Sequence, residues 1–321
     1  MLRPVLACLI LAAPAHAEGL LVTADIAPVQ SLVTLVLGEA GEAATLLPQG
    51  DSAHHLSLRP SQARALTEAD IVIWTGPALM PSLGEALQML APDTPRLTLQ
   101  DVPGTLALPY RDAEDFGGHD HADDHEHGDE HSHDEAAKDE AGHDVHDHAG
   151  GIDSHLWLSP DNARLWLNAI AAALAEQDPG NAATFRANAE AARALVDQAA
   201  AEAAASLAPV AGLPLAVDHD AFQYFEAHFG LTVIGAISDS EAAPAGPATL
   251  AALRDRVAEA KPVCVLVEPD ARPGLIEAIG AAGLPRATLD PLGSDLEPGA
   301  DLYPALIRAM ANRIAACATG S

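Results

Sequence analysis

Five histidines stand apart from the rest in this chain. The 321 residues hold fifteen histidines. Outside the N-terminal segment and one histidine-crowded stretch, only His54, His55, His155, His219 and His228 remain. His54 and His55 close Gln49-Gly50-Asp51-Ser52-Ala53-His54-His55, a loop after a predicted strand. His155 lies in Asp153-Ser154-His155-Leu156-Trp157-Leu158-Ser159-Pro160, just ahead of a predicted helix. His219 lies in Val217-Asp218-His219-Asp220, at the end of another predicted strand. A β/α protein gathers its functional groups at such strand ends. Neutral imidazole suits Zn²⁺, and three imidazoles with an open or carboxylate fourth position form a familiar zinc site. Asp153, Asp218 and Asp220 are the expected acceptors that would orient the rings. Against this stands the plain reading of a loop histidine as a solvated or capping residue, since spacing alone does not bring distant residues together.

The histidine-crowded stretch has a different chemistry. Residues 112–148 hold His119, His121, His125, His127, His131, His133, His143, His146 and His148, with fifteen acidic residues and one lysine. Such a composition offers little to bury and does not offset its ordering entropy. We expect a disordered loop over 112–150, inserted in a folded domain, that binds metal weakly and at several places. Tethering would raise the metal concentration near the three-histidine site.

Composition narrows the partners. The formal net charge is −30, so nucleic acid and anionic membranes are poor partners. Neither of the two lysines, Lys138 and Lys261, follows a glycine, so no Walker-type phosphate loop is present. Any nucleotide hydrolysis linked to this protein belongs to another subunit. Arg3, the short apolar run Val5–Ala13 and Ala15-His16-Ala17 read as a signal peptide over 1–17, cleaved after Ala17. The run is too short to span a bilayer, so an exported, periplasmic protein is expected. Cys8 leaves with the leader, and Cys264 and Cys317 remain. An even count in an oxidising compartment points to a disulfide, with two buried free thiols as the alternative.

These residues need a scaffold, and the apolar pattern supplies one. Strands are expected at Leu20–Ala24, Ala44–Leu47, Ile71–Trp74 and Arg96–Leu99, with helices at Pro28–Leu37 and Arg59–Glu68, the latter capped by Ser57. A helix from Ser159-Pro160 to Gln177 stops at Asp178-Pro179-Gly180, and Asn181–Leu207 reads as one Ala-rich helix. At 1.5 Å per residue it spans about 40 Å, enough to run along two domains. Beyond it, strands are expected at Leu215–Val217, Leu231–Gly235, Val263–Val267 and Arg286–Leu289. Helices are expected at Phe222–Phe229, Ala248–Glu259, Pro273–Ala282 and Tyr303–Cys317. The reading is α/β: an N-terminal lobe over 18–180, a connecting helix over 181–207 and a C-terminal lobe over 208–321, with parallel-type sheets and a cleft between lobes. Trp74, Trp157 and Trp166 are expected to pack cores, and Arg59 to pack or pair.

Several stretches resemble one family. Gly50-Asp51-Ser52-Ala53-His54-His55-Leu56-Ser57-Leu58-Arg59-Pro60-Ser61, His155-Leu156-Trp157-Leu158-Ser159-Pro160 and His219-Asp220-Ala221-Phe222-Gln223-Tyr224-Phe225 are similar, in order, to the metal-site motifs of ZnuA-type solute-binding proteins of zinc ABC importers. Glu268-Pro269, Leu289-Asp290-Pro291-Leu292-Gly293 and the histidine-rich insert resemble further family features. The resemblance implies two α/β lobes joined by a rigid helix, with Zn²⁺ held between them by His54, His155 and His219. It implies a disulfide between Cys264 and Cys317. It also implies delivery to an ABC importer permease that works with a separate ATPase subunit, by a monomer that a periplasmic zinc chaperone could load. Some zinc members carry an acidic residue where this chain has Ala53. Asp290 is the matching carboxylate for the fourth position, with water or chloride as the alternative, and His55 is a weak candidate. Three imidazoles with at most one carboxylate suit zinc better than manganese, which favours more oxygen ligands.

Other readings are a manganese or other divalent-metal importer subunit, an exported three-histidine zinc hydrolase and a surface adhesin. A hydrolase needs a general base, for which Asp218, Asp220 and Glu268 are nominees, but no His-Glu-x-x-His motif is present. The missing lipid anchor argues against surface display.

Overall fold

The computed structural model describes residues 19–53, 58–111, 116, 151–238, 246–269 and 271–320. The leader, His54, His55, Ser57 and the histidines of the insert lie outside the described residues. Of residues 112–150, only Phe116 is described, and it is buried against the core.

The first half builds a four-stranded parallel sheet in the order β2-β1-β3-β4. Its strands are β1 (Leu20–Ala24), β2 (Gly41–Thr45), β3 (Ile71–Trp74) and β4 (Arg96–Thr98). Helices α1 (Ala27–Leu37), α2 (Pro60–Glu68) and α3 (Pro81–Leu90) connect them. The expected second strand at Ala44–Leu47 is displaced towards the N-terminus. Leu46 and Leu47 are buried but lie just past the strand, where their amides still bond the Ala24 and Asp25 carbonyls. Helix α3 escaped the sequence reading because prolines flank it and Gly84 interrupts it. Helix α2 begins at Pro60, where the Arg59 amide donates to Gln62 Oε1.

After α4 (Pro160–Gln177) comes α5 (Ala182–Leu207), a 26-residue helix. Its buried stripe is Phe185, Ala189, Ala192, Val196, Ala199, Ala203 and Leu207. Steps of three and four keep these residues on one helical face. Five of the seven are small or short, which lets α1 and α4 approach from one half and α9 (Leu302–Thr319) from the other. Leu195 lies off that stripe and is exposed.

The second half repeats the first. Strands β5 (Pro214–His219), β6 (Thr232–Ser238), β7 (Cys264–Val267) and β8 (Arg286–Thr288) form a parallel sheet in the order β6-β5-β7-β8. Helices α6 (Gln223–Phe229), α7 (Pro247–Ala260) and α8 (Pro273–Ala278) connect them. In each sheet the order turns back between the first and third strands of the half. Ligands of open α/β sheets bind at such switch points, beyond the carboxyl ends of the strands.

One apolar core runs through both halves and includes Trp157, Trp166 and Tyr303, all buried. Burying a large side chain contributes about 2–3 kcal/mol. Cys264 at the start of β7 and Cys317 near the end of α9 are joined as a disulfide across 53 positions. Closing a loop of that length contributes about 4 kcal/mol in the chain-entropy account.

Candidate metal centre between the lobes

His219 is the last residue of β5, and a bulge decides where it sits. The pairing of β5 with β6 slips one residue between Leu215 and Val217, after which His219 pairs with Ser238. Gly235 lies in the bulge with φ +157°, where a Cβ would meet Leu253 Cδ1 at 2.6 Å. Only glycine fits there. His155 reaches the same place from a short 3₁₀ turn (Leu156–Leu158) that feeds α4, whose first turn is capped by the Ser159 hydroxyl.

The two rings are neighbours, with centroids 5.3 Å apart and planes inclined by 74°. Two imidazoles on one tetrahedral zinc, at Zn–N bonds of about 2 Å, have centroids about 5 Å apart. Each ring has its Nδ1 beside a carboxylate. His155 Nδ1 lies 2.8 Å from Asp153 Oδ1, and the His155 amide donates to the same oxygen. His219 Nδ1 lies 3.0 Å from Glu268 Oε2. A ring held in this way presents Nε2 for coordination. Burial and the neighbouring His219 push the His155 imidazolium down to about 3, so the ring is neutral at pH 7.

Of the three acids expected to orient the rings, only Asp153 does so. Asp218 instead accepts the Glu268 amide with both oxygens, at 3.1 and 3.0 Å. Asp220 pairs with Arg111. Glu268, noted in the sequence as a signature residue and a nominated base, is the partner of His219. Only proximity reveals this, because 49 positions separate the two. All three nominated bases are thus engaged with backbone, guanidinium or imidazole.

Asp290 sits on the loop after β8. Its Oδ1 accepts the amides of Leu292 and Gly293, and its Oδ2 accepts the amide and hydroxyl of Ser294. Asp290 and Glu268 line a cavity of about 140 Å³ with Gly50, Asp51 and Ser52 from the first half. His54 itself lies outside the described residues, and among the described residues no three His, Cys, Asp or Glu side chains make a complete metal cage. His228 points elsewhere and pairs with Asp161. Trp157 packs against His155, with ring centroids 5.4 Å apart and planes inclined by 53°, and donates its indole N–H to the Pro291 carbonyl. Arg59 pairs with exposed Asp51.

Two parallel α/β halves, tied by one long helix and turning strand-end side chains towards a shared cleft, define a two-lobed solute-binding protein. The family model described as "ZnuA: Zinc-uptake complex component A periplasmic" matches residues 22–317, and the chain belongs to the ZnuA family. It is 40% identical over 330 residues to the high-affinity zinc uptake system protein ZnuA of Paracoccus denitrificans, covering 99% of each chain. It is 36% identical to the Brucella abortus protein of the same name, covering 94% of this chain and 91% of that one. Among solved structures, a crystal structure of ZnuA superposes with a TM-score of 0.72 at 23% identity, covering 94% of this chain and 99% of that one. A zinc-bound ZnuA deletion mutant superposes at 0.71 and 22% identity, covering 94% and 98%. These two structures show the fold. No described helix is long and apolar enough to cross a membrane.

Proposed function

We propose that this protein is the periplasmic zinc-binding component of an ABC zinc importer, which captures Zn²⁺ between its lobes and passes it to the membrane permease. The observation that carries the reading is the pair His155 and His219, at a separation suited to one zinc ion, each with Nδ1 beside a carboxylate. His54 completes the imidazole set. Asp290, which lines the cavity with Glu268, takes the fourth position; its four loop hydrogen bonds already occupy the roughly four lone-pair sites of a carboxylate, so one of them gives way to the metal. Three nitrogens and one oxygen favour zinc over manganese. The Asp153 and Glu268 carboxylates, with Asp290, place negative charge around the bound dication. The histidines of residues 119–148 form a weaker, multiple store that feeds the cleft. The mature chain begins at Glu18 and works as a monomer, with a separate ATPase subunit on the importer and a chaperone able to load it.

The test is metal analysis and calorimetry on the purified protein, with His54→Ala, His155→Ala and His219→Ala. Each variant is expected to lose the tight site. Deletion of 112–148 is expected to lower total stoichiometry and keep that site. Retention of tight binding by all three single variants overturns the ligand set.

A further inference from the structure

Among the described residues, Arg111 is a cation set among buried acids next to His219. Arg111 belongs to the first half, at the start of the histidine-rich insert. Its guanidinium reaches into the second half and binds two carboxylates at once. Nε donates to Asp220 Oδ2 at 3.1 Å and Nη2 donates to Asp220 Oδ1. Nη1 donates to Glu226 Oε2 at 2.6 Å and Nη2 to Glu226 Oε1 at 3.1 Å. The Phe116 ring covers the guanidinium at 4.4 Å. The side chains of Arg111, Asp220 and Glu226 are 17%, 4% and 6% exposed, so solvent screens this cluster little.

The neighbourhood is acidic. Asp153, Asp218, Asp220, Glu226 and Glu268 are all buried there. Burial raises the Glu226 carboxyl to about 7 despite the adjacent Arg111. Burial also works against the Arg111 charge, but its hydrogen bonds and ion pairs with Asp220 and Glu226 outweigh that and hold the guanidinium protonated.

Asp220 directly follows His219, and the Asp220 amide donates to the Ser238 carbonyl. The turn that carries His219 is thus pinned on one side by β6 and on the other by Arg111. The segment leading to Arg111 is itself docked. The Asp153 amide donates to the Leu108 carbonyl, and the Tyr110 amide to the Gly151 carbonyl. Tyr224 on α6 accepts from the Leu108 amide and donates to the Asp153 carbonyl. Gln223 donates to the Pro109 carbonyl. The segment leading to Arg111 is therefore bridged to the one that carries Asp153, the partner of His155.

We propose that Arg111 is a positioning residue of the metal site: by gripping Asp220 and Glu226 across the two halves, it fixes His219 relative to His155. The inference rests on the zinc reading of these histidines. A fork with fixed geometry is required, because lysine supplies charge without the two-sided planar grip.

The experiment uses the full chain carrying Arg111→Lys, loaded in turn with Zn²⁺ and Co²⁺. The expected result is zinc dissociation to a chelator about tenfold faster than wild type, the range seen when groups that orient metal ligands are lost. It comes with a changed cobalt ligand-field spectrum, which reports ligand geometry. Arg164→Lys, which alters an exposed ion pair between α4 and α5, is expected to match wild type in both. A lowered melting temperature of the metal-free protein, with unchanged dissociation and an unchanged cobalt spectrum, makes Arg111 a structural latch only and overturns the proposal. If Arg111→Lys does not fold, Glu226→Gln carries the test: it loosens one of the two grips, so a faster release supports the proposal and a wild-type rate overturns it. Failure of wild type itself to bind zinc tightly sinks the zinc reading instead, so the two failures are distinguishable.

Discussion

The two halves use the same clamp for different ends. In the first half, Asp25 follows β1. It accepts the Ile26 amide on one oxygen and, on the other, the amide of Thr75, the residue after β3, at 2.6 Å. In the second half, Asp218 near the end of β5 accepts the amide of Glu268, the residue after β7. The registers are equivalent: Ala24 lies opposite Ile73 and Val217 opposite Leu266, so each aspartate reaches one residue past the end of the neighbouring strand. The fourth strands also correspond, with Pro95-Arg96-Leu97-Thr98-Leu99 matching Pro285-Arg286-Ala287-Thr288-Leu289. What differs is the cargo of the clamp. The first half places Ile26 and Thr75 where the second places His219 and Glu268. A shared backbone device fixes the switch point, and two side chains turn one copy of it into half of a metal centre.

The sharpest way to break this comparison is to remove the chemistry and keep the clamp. His219→Ala is expected to weaken zinc binding at least a hundredfold by calorimetry, since a lost ligand leaves too few donors for a closed site, while Ile26→Ala costs stability without removing a ligand. Glu268→Gln keeps a hydrogen-bonding group but loses charge, and zinc affinity is expected to fall roughly tenfold to a hundredfold. Its counterpart Thr75→Val is expected to leave affinity at the wild-type value, and an equal loss in the two would refute the division between frame and chemistry.

The first-half clamp also responds to pH. Burial, opposed by the Thr75 and Ile26 amides, raises the Asp25 carboxyl from 3.8 to about 6. The folded chain therefore keeps a proton that the unfolded chain releases between those values. This contribution to stability is present below the lower value, falls as pH rises through the window and is flat above it. Two pH units of one proton amount to about 3 kcal/mol. Urea unfolding of metal-free Asp25→Asn is expected to be flatter than wild type between pH 4 and 6, and an unchanged slope would place the titration elsewhere. The smallest effect is expected at the fourth position: Asp290→Asn lowers zinc affinity less than about tenfold by calorimetry, because water can take the place of one oxygen ligand. A loss as large as that of His219→Ala would make the carboxylate indispensable.

Much of the frame was legible along the chain. Ile71–Trp74 was read at its observed limits because a fully buried strand is a short run of β-branched and aromatic residues. The Ala-rich run gave α5 to within one residue. Local patterns of this kind depend on a few neighbouring positions. Helix α3 and the displaced β2 were misread where proline, glycine and burial beyond the strand end blurred the pattern. In the site, His155 and His219 were singled out by residue type and motif, but their partners were assigned by nearness in sequence, which chose Asp218 and Asp220 over Glu268.

Sequence alone determined which side chains could bind a borderline metal and the alternation of strands and helices, because residue type and local periodicity carry that information directly. Tertiary structure decided that Glu268 serves His219, that Arg111 grips Asp220 across the halves, and that the Asp25 clamp has a twin. These are contacts between strand ends and loops far apart in the chain. Their geometry exists only once two parallel sheets have packed along a single helix and buried the acids that must then find partners.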